Sequence, residues 1–183
     1  MRGDKVMFGA DTGQPGLDIV DWAISHIGVP YALSDYTDKL PYEKIECSSF
    51  VTANRIQEIG PENNTKYAVA FITTDEYLQG YYFYDTRQIF ITEQVDPCAD
   101  PDIGDGRGYL LHLQAEGTPI PHIGIIIYLR YDCDTPDPVL LDLDLIHANG
   151  GSAPQFGRVR FENQSYDRYP SDTYTYTYLK YTD

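Results

Sequence analysis

Three stretches decide the fold of this chain: YLLHL at 109–113, HIGIIIYLRY at 122–131 and VLLDLDLIHA at 139–148. Each is a largely apolar run of strand length, and together they read as β. Downstream, GRVRFE at 157–162 and the alternating TYTYTYLKY at 173–181 continue the strand pattern to the end of the chain. Upstream the period changes. In LDIVDWAISHIG at 17–28, Ile19, Val20, Ala23, Ile24 and Ile27 recur near 3.6 residues; Asp18 can cap the start, and Gly28 and Pro30 stop it. A second helical pattern runs from about Ser48 to Ile59, with Phe50, Ala53, Ile56 and Ile59 on one stripe, Cys47 at its N-terminus and Gly60-Pro61 as the stop. Helices first and strands afterwards imply an α+β fold in which an antiparallel sheet packs against the cysteine-bearing helix.

The remaining segments read as connections. Residues 1–16 form an N-terminal extension, and 30–44 a polar, tyrosine-bearing loop. Residues 61–106 form an irregular connecting region holding a polar turn, aromatic material, a strand-like IFITEQV and an aspartate-rich loop. At 183 residues the chain is expected to be one domain, 1–183, with a sizeable core.

Composition narrows the partners. With 28 acidic against 13 basic residues the net charge is −15, so the mean field repels a phosphate backbone and nucleic acid is not an expected partner. No stretch approaches the roughly 18 apolar residues that cross a bilayer as a helix, so no membrane span is expected. The first 16 residues also lack an apolar run of about 7 or more, as a signal peptide would have. The expectation is an effector, a phage-associated protein or a truncated secreted form, and otherwise a cytoplasmic protein.

Three cysteines, at 47, 98 and 133, are too few for a disulfide framework, and at least one thiol is free. If Cys98 and Cys133 pair, Cys47 is left over; the sequence alone does not establish that pairing. Cys47 has the placement of a nucleophile. A helix N-terminus lowers a thiol pKa through its unpaired N–H groups and the positive end of its dipole, and the same N–H groups can hold an oxyanion. His122 opens one apolar strand and His147 closes the next, so a hairpin between them stands two imidazoles on adjacent strands. One can take the thiol proton while the other fixes its orientation. The competing reading is a buried structural cysteine and two satisfied histidines.

The runs AISHIGVPYALS (23–34), IECSSFV (45–51), Gly104-Asp105, HIGIIIYL (122–129) and IHANGG (146–151), in that order, resemble the NlpC-type cell-wall cysteine peptidases, and ITTDEYL (72–78) is similar to a stretch between those motifs. The resemblance covers about residues 17–161. It implies a papain-like fold that hydrolyses amide bonds in peptidoglycan stem peptides, commonly between γ-D-glutamate and a diamino acid, without a cofactor or metal. By position it gives Cys47 as nucleophile, His122 as base and His147 as the orienting residue. Tyr31 matches an active-site tyrosine, and Ser48 the residue after the nucleophile. Glu46 stands where the family has an aspartate thought to engage the substrate's free amine. Ser49 replaces a glycine, Ile103 a proline before Gly104-Asp105, and Ser34-Asp35-Tyr36 stands where two glycines commonly follow the tyrosine. The alternatives are an amidase, deamidase or acyl transferase acting on another amide, and a catalytically silent wall-binding or structural module.

Other features are assigned no chemistry. DPCADPDIGDG at 96–106 lacks calcium ligands at the required spacing and reads as an Asx-rich turn. Asp142 and Asp144 share one strand face and read as solvated; His26 and His112 belong to no motif. A zinc site from Cys47, His122 and His147 has suitable ligand types, but the helix-start placement favours a nucleophile. The 17 tyrosines read as strand residues, with a sugar-stacking surface as the alternative.

Overall fold

The structure, a computed structural model, describes residues 17–30, 47–59, 74–79, 90–115, 117, 121–149, 158–163 and 173–182. Three helices, α1 (Ile19–Ser25), α2 (Cys47–Ile59) and α3 (Thr74–Gln79), are described before the sheet. The strands are β1 (Thr92–Val95), β2 (Leu110–Ala115), β3 (His122–Asp132), β4 (Val139–Asn149), β5 (Arg158–Asn163) and β6 (Tyr174–Tyr181). They form one antiparallel sheet in the order β1-β6-β2-β3-β4-β5. The fold is α+β, with α2 packed on α1 and on β3 and β4, as the helix-then-strand pattern implies.

The expected first helix is confirmed in place and shortened. The Asp18 carboxylate accepts from the Asp21 N–H at 2.8 Å and the Asp21 carboxylate from the Asp18 N–H at 3.3 Å, a reciprocal cap of the helix start. The helix stops at Ser25, because the following residues are drawn to the edge of the sheet. Gly28, at φ +97°, donates its N–H to the Val159 carbonyl at 2.9 Å, and Val159 donates to the Val29 carbonyl at 2.8 Å. Ile24 and Ile27, expected on the buried stripe, are therefore exposed, and Trp22 is buried instead.

α2 begins one residue earlier than the periodicity suggests, at Cys47. Its expected stripe is buried at Phe50, Ala53 and Ile56, yet Ser48, Ser49, Thr52, Asn54 and Arg55 are buried too. Several of their polar groups are satisfied locally. Thr52 Oγ1 donates to the Ser48 carbonyl, Asn54 Nδ2 donates to the Phe50 carbonyl, and the Arg55 guanidinium meets Glu58 at 2.6 Å and stacks over Tyr181 at 4.2 Å. A central helix covered on several sides can carry such residues once each polar group has a partner.

Strand alternation feeds two apolar clusters. Leu110, Ile123, Ile125, Ile146, Ala148, Val159 and Leu179 join Cys47, Phe50, Val51 and Ile56 under the helices. Leu111, Leu113, Ile126, Leu129, Leu143, Leu145 and Tyr178 form the second. The terminal Thr-Tyr run is β6, an inner strand between β1 and β2, which accounts for its β-prone composition. The aspartate-rich loop is a chain of Asx turns: Asp96, Asp100 and Asp105 each accept from the N–H two residues on. A disulfide between Cys98 and Cys133, with Cα atoms 5.5 Å apart, ties this loop to the β3–β4 connection. Asp142 and Asp144 are half-buried, and both accept from Asn163 Nδ2, so they are bridged as well as solvated.

Candidate active site

With Cys98 and Cys133 paired, Cys47 is the one thiol of the three outside a disulfide. It is the first residue of α2 and is 8% exposed. Its Sγ lies 3.8 Å from Thr74 Oγ1, at the start of α3. A short link fixes α3 against α2: the Tyr77 hydroxyl is 3.0 Å from Thr52 Oγ1. Ser48, next in the helix, is also buried. Tyr31 and Glu46 lie outside the described residues.

The two histidines meet as hairpin pairing predicts. His122, first residue of β3, has its Nε2 2.6 Å from Nδ1 of His147, near the end of β4, with the rings edge-to-face at 4.8 Å between centroids. His122 is half-buried, whereas His147 is fully buried. Ile123 and Ala148, their chain neighbours, belong to the cluster that contains Cys47. Leu145, two residues before His147, belongs to the other cluster, so alternation turns His147 away from the helix side.

One member of this constellation escapes the sequence reading. His147 Nε2 is 2.6 Å from Glu162 Oε2 on β5, and Glu162 is only 5% exposed. The other carboxylate oxygen lies 3.5 Å from Arg160 Nη2. Register explains the reach: Glu162 stands opposite Leu145, so His147 is its diagonal neighbour two residues along the same side. On this strand the apolar Phe161 is 48% exposed and the charged Glu162 is buried, the reverse of what hydrophobicity predicts. The signal available in the sequence was alternation itself, which puts Arg160 and Glu162 on one face and Val159 and Phe161 on the other.

The other histidines sit elsewhere. His112 is buried within β2, opposite Ile123. His26 Nδ1 lies 2.9 Å from the Trp22 carbonyl and 3.1 Å from Asn54 Oδ1; burial, the dominant cause, holds its pKa below the ordinary imidazole value. A cavity of about 250 Å³ lies apart from the histidine pair, among Asp18, Arg55, Glu58, Arg107, Lys180 and Tyr181. Its cations have carboxylate partners nearby: Arg107 meets Asp18 at 2.8 Å, and Lys180 meets Asp100 at 3.3 Å. Burial alone would raise the Asp18 carboxyl, but hydrogen bonds from Arg107 and the Asp21 N–H outweigh it and hold the group below the usual carboxylate range.

No protein-family model matches the chain, and no curated protein matches it. Among solved structures, it is similar to two crystal structures of an N-acetylmuramoyl-L-alanine amidase from Bacteroides uniformis. One has a TM-score of 0.46 at 13% identity, with 89% of this chain and 98% of that chain covered. The other has a TM-score of 0.43 at 12% identity, covering 89% and 97%. Likenesses this low assign no activity to this chain.

Proposed function

We propose that this chain is a cysteine hydrolase that cleaves an amide bond in peptidoglycan stem peptides, with Cys47 as nucleophile, His122 as base and His147 as the residue that orients the base. The observation that carries the reading is the 2.6 Å contact between His122 and His147, on strands packed against a helix that opens with the chain's one thiol outside a disulfide. The NlpC-type order of motifs supplies the substrate class, and Glu46 and Tyr31 are read as its binding residues on that resemblance. Alternation puts His122 on the same side of the sheet as His147, away from the helix side, so this reading requires the thiol and the base to meet around the start of β3, of which His122 is the first and half-buried residue.

In this mechanism His122 takes the Cys47 proton, and the thiolate attacks the carbonyl carbon. The oxyanion is held by N–H groups at the start of α2, which also favour the thiolate. Collapse of the intermediate breaks the C–N bond, the departing amine takes the proton from His122, and water activated by the same imidazole releases the acyl group from sulfur. The Cys98–Cys133 disulfide fits a protein that works in an oxidising compartment, where a cell-wall substrate is found.

Digestion of purified muropeptides, followed by mass spectrometry, tests the reading. Product masses that match cleavage after γ-D-glutamate are expected from the wild type and not from Cys47→Ala. Cleavage of a different amide would keep the nucleophile and change the substrate; unchanged masses with a folded wild-type protein would leave the silent wall-binding module as the better reading.

A further inference from the structure

We propose that Glu162 is a positioning residue of this site, a buried carboxylate that fixes the tautomer of His147 and, through it, the orientation of His122. The inference rests on the reading of His122 as the base. Three atom pairs carry it: Glu162 Oε2 to His147 Nε2 at 2.6 Å, His147 Nδ1 to His122 Nε2 at 2.6 Å, and Glu162 Oε1 to Arg160 Nη2 at 3.5 Å.

An ionised carboxylate only accepts, so His147 Nε2 carries a proton and donates it to Glu162. In a neutral His147 the lone pair is then on Nδ1, which accepts from the Nε2–H of His122. His122 is left with Nδ1 as its proton-accepting nitrogen. The arrangement therefore selects which nitrogen of the base faces the chemistry. It also sets a negative charge at the far end of the relay from the imidazolium that forms when the thiol is deprotonated. Arg160 on the outer oxygen favours the ionised carboxylate despite its burial. A glutamate without such a role on an edge strand would be expected in solvent, whereas this one is 5% exposed.

The test is ¹⁵N-histidine NMR together with kinetics on Glu162→Gln and Glu162→Asp. In the wild type, His147 should appear as the Nε2–H tautomer with an unprotonated Nδ1. Glutamine is nearly isosteric and removes the buried charge, but its amide can donate to Nε2, which turns His147 to the Nδ1–H form and sets it against the His122 N–H. The expected result is a changed His147 tautomer and a fall in kcat of about 10- to 100-fold with KM little altered, the range seen when outer residues stop orienting an imidazole; Glu162→Asp should restore part of the rate. A wild-type spectrum with His147 as Nδ1–H overturns the proposal, and so does a folded Glu162→Gln with wild-type histidine shifts and kcat. Should Glu162→Gln fail to fold, the wild-type tautomer and Glu162→Asp still decide it. If the wild type shows no hydrolysis while His147 has the expected tautomer, the catalytic reading has failed and the tautomer assignment stands; a wild type that hydrolyses, with an unaffected Glu162→Gln, sinks the proposal alone.

Discussion

His147 fills the space that a side chain on Gly124 would need: a Cβ there would stand 3.0 Å from His147 Cβ and 2.9 Å from Leu145 Cδ1. The glycine of the HIGIIIYL run thus lets β4 bring an imidazole up to His122, two residues away on the same side of β3. Gly124→Ala should push His147 out of line with His122. Overpacking of this kind costs about 1–3 kcal/mol, so the protein should stay folded. Muropeptide turnover should drop at least tenfold, out of proportion to the change in the urea midpoint. Parallel measurement of both separates displacement of the relay from general destabilisation.

Removal of the middle histidine should cost stability as well as rate. Without His147, the Glu162 carboxylate stays buried but loses its closest partner, and breaking a buried pair in this way costs about 3–5 kcal/mol. The double variant His147→Ala with Glu162→Gln should be more stable than His147→Ala alone, since the buried charge is gone. Urea denaturation of the single and double variants checks the sign; equal stabilities would mean that the carboxylate is not bound as described.

His26 makes the stability of the fold depend on pH. His26 Nδ1 faces two oxygen acceptors and donates to them, so Nε2 is the titrating nitrogen, and burial holds the folded pKa below 6.5. Above 6.5 His26 is neutral in both states and costs nothing. As pH falls from 6.5 through the folded value, the unfolded chain takes up the proton first and the fold loses stability. Urea midpoints at about pH 7.5 and 5.5 should show a larger loss in the wild type than in His26→Gln. An identical loss would place the sensitivity elsewhere.

The disulfide is expected to act on stability and not on chemistry. Cys98 and Cys133 are 35 residues apart, for which the chain-entropy account gives about 4 kcal/mol. Replacing both by serine should lower the thermal midpoint by roughly 8–15 °C in a domain of this size while leaving kcat within about twofold at 25 °C. A comparable loss of kcat would tie the loop to the active site.

Elements with strong periodicity were legible from the sequence. The α+β order, the cysteine at the head of a helix and the meeting of His122 with His147 follow from apolar spacing and hairpin pairing, which are local. Tertiary competition was not legible: α1 ends at Ser25 because Val159, over a hundred residues away, captures Gly28 and Val29. Glu162 was missed for a related reason. Its burial is decided by His147 on the neighbouring strand, against its own polarity, and register between β4 and β5 cannot be read from either strand alone. The breadth of burial on α2 was missed as well, since Ser48, Thr52, Asn54 and Arg55 look like a solvent face until their local partners are known.

In the proposed mechanism the Cys47 thiol and the His122 imidazole act as one unit. The rate of Cys47 carboxymethylation by iodoacetamide, followed from about pH 4 to pH 10 in the wild type and in His122→Ala, tests it most directly, because Cys98 and Cys133 are locked in a disulfide and do not react. A thiol paired with an imidazolium at a helix N-terminus ionises well below the ordinary value of about 8.5. The expected wild-type rate is already substantial near about pH 6, and the His122→Ala profile is displaced upward to about 8.5 or higher. Two superimposable profiles with midpoints near about 8.5 would contradict it.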